Sequence, residues 1–282
     1  MKLSIAFCAA LPFASLFAVT APPTIGPAPR PSTALLEAGF RQMYNLEFDA
    51  ARQTFASHKQ RYPDDPMGPV ATAAAYLFAE FDRMNILQSE FFVHDENFRG
   101  YHKALAPDPK AKQAFEAEVA DAQRLAGRQL ALNPNDTNAL FASILALGLQ
   151  SDYAGLIEKR EYAAFSSMKR SRQTAERLLK LDTSFYDAYL AIGIENYMLS
   201  QRSLPMRWLL QLTGAQTDAG EGARRMMAVA AHGRYLQPFA RLLLAVGALR
   251  KGDLGAARTL LTDLAREFPR NHLYSEELAR LK

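Results

Sequence analysis

Cysteine is nearly absent from this chain. The single one, Cys8, lies within the first ten residues, in "MKLSIAFCAALPFASLFAVTAPP". Beyond it no disulfide and no thiolate metal site can form, so packing alone must hold the fold. Phe7 stands before Cys8, where a lipoprotein signal needs small residues. β-Branched residues are few and glycine is sparse after Pro31, while alanine and leucine dominate, a balance that favours helix over strand. A single tryptophan, Trp208, is present. No apolar run after Thr20 reads as long enough to cross a membrane. Charge of one sign is also lacking: Lys plus Arg exceed Asp plus Glu by only four, and the two kinds alternate in "LIEKREYAAFSSMKRSRQTAERLLK". Interleaving of this kind marks a solvated helix face, not a nucleic-acid patch, and no nucleic-acid partner is expected.

What is present starts with one lysine, an apolar stretch from Leu3 to Val19 and then small residues, the layout of a secretory signal over residues 1–21. Pro12 interrupts the stretch, which argues for export over an uncleaved anchor, although a tether remains the alternative. Membrane contact is expected only through this segment. Residues 22–31 carry five prolines and read as an extended linker. The expected location is periplasmic or secreted, with a folded domain over residues 32–282.

Within that domain one phrase is written twice. "FDAARQTFASHKQRYPDD" (48–65) and "LGAARTLLTDLAREFPRN" (254–271) place apolar or small residues at three- and four-residue spacings: Ala51 and Phe55, then Ala257, Leu261, Leu264 and Phe268. That spacing is one face of a helix, which Pro63 and Pro269 stop. Each copy follows another helical run and a short turn, with Gly252 and Asp253 supplying turn and N-cap in the second. Weaker copies put Ala122, Ala126 and Pro134 in phase, then Thr183, Tyr189, Ile192 and Gly193. Lys110 to Leu132 reads as one long helix, and "LYSEELARLK" as a final amphipathic one.

The unit of helix, tight turn, helix and stop resembles the tetratricopeptide repeat. Leu35, Ala38 and Gly39 fall in its first-helix slots, and Ala51, Phe55 and Pro63 in its second-helix slots, while Gln42, Asn196 and Arg241 depart from its aromatics. The resemblance implies an all-α, right-handed superhelical solenoid of about five hairpins with a C-terminal capping helix. A second stretch, "LLQLTGAQTDAGEGARRM", resembles the eukaryotic inclusion-body-clearance (outer-membrane tetratricopeptide) family through Gly214, Asp218 and Gly222, and implies a non-enzymatic adaptor.

In such an array the first helix of each pair lines a concave groove. That offers Arg41, Tyr44, Tyr76, Glu80, Asn138, Phe141, Glu195, Asn196 and Arg250 as contacts for a protein or peptide segment. The function expected is an exported scaffold for envelope assembly or trafficking, with no catalytic residues, cofactor or metal. Two rivals stay open. His94, Asp95, Glu96 and His102 in "EFFVHDENFRGYH" could ligate a metal in a hydrolase, or form a polar loop. Trp208 in "SLPMRWLLQL" could lie on a lipid surface, or pack in a core. The connection "GLQSDYAGLIEKREY" could present charges to a partner, or be a linker in which Asp152 caps a helix.

Overall fold

The hydrophobic period of 3.6 and the short polar turns translate into helices throughout. The structure, a computed structural model, describes residues 33–87, 106–200 and 218–281, and these contain no strand. Eleven α-helices follow in chain order: α1 Ala34–Tyr44, α2 Phe48–Arg61, α3 Met67–Arg83, α4 Pro109–Leu132, α5 Thr137–Asp152, α6 Glu161–Leu181, α7 Tyr189–Ser200, α8 Ala219–His232, α9 Gln237–Arg250, α10 Leu254–Glu267 and α11 His272–Arg280. A π-helical turn, Tyr153–Ile157, prolongs α5, and a 3-10 turn, Tyr186–Ala188, precedes α7. Neighbours in sequence pack as pairs: α1 with α2, α3 with α4, α5 with α6, α7 with α8, and α9 with α10.

One turn geometry recurs between pairs. The residue closing α2, α4, α6 or α10 accepts a backbone bond from the residue three further on: Asp65 to Tyr62, Asp136 to Asn133, Phe185 to Asp182 and Asn271 to Phe268. In three of them that third residue is also the cap of the next helix. Asp65 accepts from the Met67 N–H at 3.0 Å, Asp136 from Ala139 at 2.9 Å and Asn271 from Leu273 at 3.1 Å. Each cap sits two residues past Pro63, Pro134 or Pro269, so proline ends one helix and a short polar side chain starts the next. At Phe185 the cap is missing.

The fifth turn, Gly233–Leu236, takes its acceptor from elsewhere. Asp187, 3 % exposed, receives the N–H groups of Arg234 and Leu236 at 2.9 Å and of Tyr235 at 3.2 Å. Burial pushes its carboxyl above the usual range and the three donors pull it back. Glycine is required at 233, because a Cβ there would lie 2.7 Å from the Val229 carbonyl and 2.8 Å from Asp187 Oδ1.

Small residues set the distance between paired helices. At Gly39 a Cβ would meet the Phe55 ring at 2.2 Å. Gly193 and Gly222 face each other where α7 crosses α8, with a Cβ at Gly222 only 2.9 Å from the Gly193 carbonyl. Asp218, three to four residues before that crossing, caps α8 by accepting from Gly220 and Glu221. Gly214 lies outside the described residues, as do residues 1–32 with the expected signal and linker.

Two expectations are corrected. Thr137–Ile157 is, by length and composition, apolar enough to cross a bilayer; 56 % of that window is buried inside the protein, and a helix covered on most sides loses its polar face. Asp152 does not cap the helix after it. It is the last residue of α5, and the chain winds on directly into the π turn.

Candidate functional site

Among the described residues, the first and last helix pairs meet. Tyr44 near the end of α1 donates its hydroxyl to the Tyr235 carbonyl at 2.8 Å, and its ring lies 5.4 Å from that of Phe268. The Tyr235 ring sits 5.2 Å from Phe40 and 6.1 Å from Phe141, and Phe239 meets Phe78 edge-on. Ion pairs rim the join: Glu37 with Arg234 at 2.6 Å, Glu267 with Arg241 at 2.8 Å, and Glu47 with Arg270. Asn271 works on both sides of it. Its Oδ1 caps α11 while its Nδ2 donates to the Tyr44 carbonyl at 3.0 Å.

Several of the sequence-predicted groove residues have internal partners instead. Phe141 is 1 % exposed and packs in the main core. Glu80, 4 % exposed, accepts the Asp108 N–H at 2.9 Å and both branches of Arg83. It ties the end of α3 to the start of α4. Asn196 does the same between α7 and α8, where its Oδ1 accepts the Asp218 N–H at 3.1 Å. Glu195 is fully buried against Arg172 at 2.9 Å. These four are therefore corrected from groove contacts to internal ones, because neighbouring elements cover them: the start of α4 over Glu80, α6 over Glu195, the start of α8 over Asn196, and Phe185 and Tyr235 beside Phe141.

The other five are partly accessible and dispersed. Asn138 donates to Asp65, which also bonds buried His58 at 2.8 Å, so this network joins α2, α3 and α5. Tyr76 carries the Arg52 guanidinium 4.8 Å over its ring. Arg41 lies over Phe268 beside Glu267, and Arg250 ends α9 half-buried. Of the nine, Tyr44 lines a cavity formed by described residues.

That cavity is a mostly apolar cleft of about 40 Å³ at the meeting of the two ends. Met43, Tyr44, Leu46 and Phe48 form one wall, from α1 and its turn into α2. Phe78 and Leu87 come from α3 and its end, and Phe239 and Leu242 from α9. Leu261, Leu273 and Tyr274 close it from α10 and α11, with Asn271 and Glu277 as its polar members. Burial pushes the hydroxyl of Tyr44 well above its usual range and that of Tyr274 upward too, so both stay protonated at neutral pH.

Sequence reading missed Leu242, Asn271, Leu273 and Glu277. The final helix read as an outward-facing cap. Tyr274 and Glu277, three apart, share its inner face, and that spacing was the available signal.

His94, Glu96 and His102 lie outside the described residues, as does Trp208. Among the described residues no three His, Cys, Asp or Glu side chains gather as a metal site. In the connection after α5, Glu158 pairs with Lys112 at 2.6 Å and Tyr153 stacks on Phe115 at 4.9 Å, while Lys159, Arg160 and Glu161 are exposed. Asp152 differs. Its carboxylate has no hydrogen-bond or ion-pair partner among the described residues, and burial raises it from 3.8 to about 7. The folded protein therefore holds a proton that the unfolded chain releases, and stability falls as pH rises from about 4 to about 7. The full shift corresponds to about 4 kcal/mol, and partial exposure reduces this to roughly 2. Asp152→Asn should raise the melting temperature at pH 8 by several degrees and leave it unchanged at pH 4, as thermal melts at the two values will report.

Fold and cleft together define an all-helical protein of sequential helix pairs. Comparison with protein-family models, curated proteins and solved structures gave no match.

Proposed function

We propose that the chain is a non-enzymatic, tetratricopeptide-like scaffold that binds a protein or peptide segment. In this reading the five pairs α1/α2 to α9/α10 are hairpins of a right-handed superhelix, α11 is its cap, and the protein is exported to the periplasm or secreted to serve envelope assembly or trafficking. The turn shared by four of the pairs supports the repeat assignment. The observation that carries the function is the apolar cleft between the first and last pairs, where a side chain from outside could enter apolar surroundings contributed by both ends of the array.

A photo-crosslinking amino acid at Leu273, which lines the cleft, should give a discrete protein adduct in the native envelope. The same group at Leu132, 87 % exposed and outside the cleft, should give none. Leu242→Trp fills the cleft and should abolish the Leu273 adduct while far-UV circular dichroism stays that of the parent. An adduct that survives Leu242→Trp would exclude the cleft as the binding place.

A further inference from the structure

We infer that the segment taken by this cleft is basic as well as apolar, seating an aliphatic side chain between Leu242 and Leu273 and laying an adjacent lysine or arginine on the carboxylate of Glu277. The inference rests on the reading of the cleft as the binding site and deepens it to a class of partner.

Size comes first. A cavity of about 40 Å³ admits the tip of one small aliphatic side chain and excludes an acyl chain or a row of apolar residues. Burial of one methylene contributes only about 0.8 kcal/mol, so a side-chain tip cannot hold a partner unaided. Specific attachment needs a polar contact at the same place.

Glu277 offers one. It belongs to the cleft wall and is 7 % exposed. A carboxylate withdrawn from water is unfavourable unless closely paired. Its one ion pair joins Oε2 to Arg280 Nη1, at 3.3 Å. A strong charge-assisted bond is shorter, about 2.7–2.9 Å. Arg280 lies one turn further along the same helix with its side chain 44 % exposed, so the pair is screened by solvent. An incoming ammonium or guanidinium has a closer geometry to gain at Glu277.

The surroundings carry the matching sign. Asp82, in the last turn of α3, stands near His272 at the start of α11, and burial raises its carboxyl above the usual range. Glu276 stands 3.8 Å from His272. The basic side chains near this set are Arg280, His272 and Arg241, whose charge acts on the cleft residues Tyr44 and Tyr274; Arg280 is paired with Glu277 and Arg241 with Glu267. An acidic segment would meet Glu277, Glu276 and Asp82 with like charge, and a purely apolar one would leave Glu277 as it is.

The test uses the full chain and two fluorescein-labelled peptides of alternating sequence, one leucine–lysine and one leucine–glutamine, with binding read by fluorescence anisotropy at low salt. The parent should bind the lysine peptide about tenfold more tightly. Glu277→Gln, close in shape to the parent side chain, should erase that preference, and Arg280→Gln should strengthen lysine-peptide binding by removing the competitor. Equal binding of the two peptides, binding of neither, or a lysine preference that persists in Glu277→Gln would each overturn the inference. Leu242→Trp separates the two readings: loss of all binding in this variant supports the cleft, and unchanged binding removes the cleft whatever Glu277→Gln shows. Thermal melts of every variant confirm that the fold is retained.

Discussion

Asp187→Ala should lower the melting temperature by about 10 °C or more. Three backbone N–H groups, those of Arg234, Tyr235 and Leu236, converge on this one carboxylate, itself 3 % exposed. Alanine leaves them facing a space without an acceptor, and a buried donor stranded in this way costs about 1–3 kcal/mol. Partial relaxation and an entering water reduce the sum, so a total on the order of 3–5 kcal/mol is expected. For a domain of this size, each kcal/mol corresponds to about 2–4 °C. Asp187→Asn keeps one acceptor oxygen and should recover part of the loss. The effect should also reach the join between the first and last helix pairs, because the Tyr235 ring is held there by the same turn. Amide exchange near Phe40 and Phe141 should accelerate in Asp187→Ala. A variant that melts within 2 °C of the parent would show that the turn does not depend on this carboxylate.

Gly39→Ala should be nearly as damaging, through overpacking instead of lost bonds. The added methyl would stand 2.2 Å from Cε1 of Phe55, whose side chain is fully buried and also packs edge-on against Phe40. Neither ring has room to withdraw, so α1 must lift from α2 at a cost of about 1–3 kcal/mol or more. Gly127→Ala is the matched control. A Cβ there meets nothing within 4 Å on the exposed face of α4, and replacing glycine inside a helix should stabilise by about 1 kcal/mol. Chemical denaturation of the two variants should therefore move in opposite directions from the parent. A gain in both would mean that helix propensity, not the approach of α1 to α2, governs the first position.

The echoed phrases were informative because they encode local events. Proline two residues before a short polar side chain stops one helix and caps the next, and the structure places that turn at 62–65, 133–136 and 268–271. Gly252 with φ 74 and the Asp253 cap at Ala256 were equally readable. So was the long helix: Lys110–Leu132 was anticipated and Pro109–Leu132 is observed. The candidate site was far less legible. Glu80 and Asn196 stand on the inner face of first helices, where periodicity suggests exposure to a groove. Their real partners are the backbone N–H groups of Asp108 and Asp218, at separations of 28 and 22 residues, which no local pattern announces. Glu277 read as surface charge because a helix at the end of a chain ordinarily has one wet side.

By itself the sequence determined that this chain is helical, where most of its helices stop, and that they follow one another in pairs, since caps, prolines and a 3.6-residue period act within a few residues of backbone. Only the tertiary structure decided that the last pair returns to the first, that Asp187 serves a turn almost fifty residues away, and that Tyr44, Leu242 and Glu277 share one cleft. Those pairings depend on small crossing angles accumulated over successive helices, and side-chain spacing along one helix carries no record of that sum.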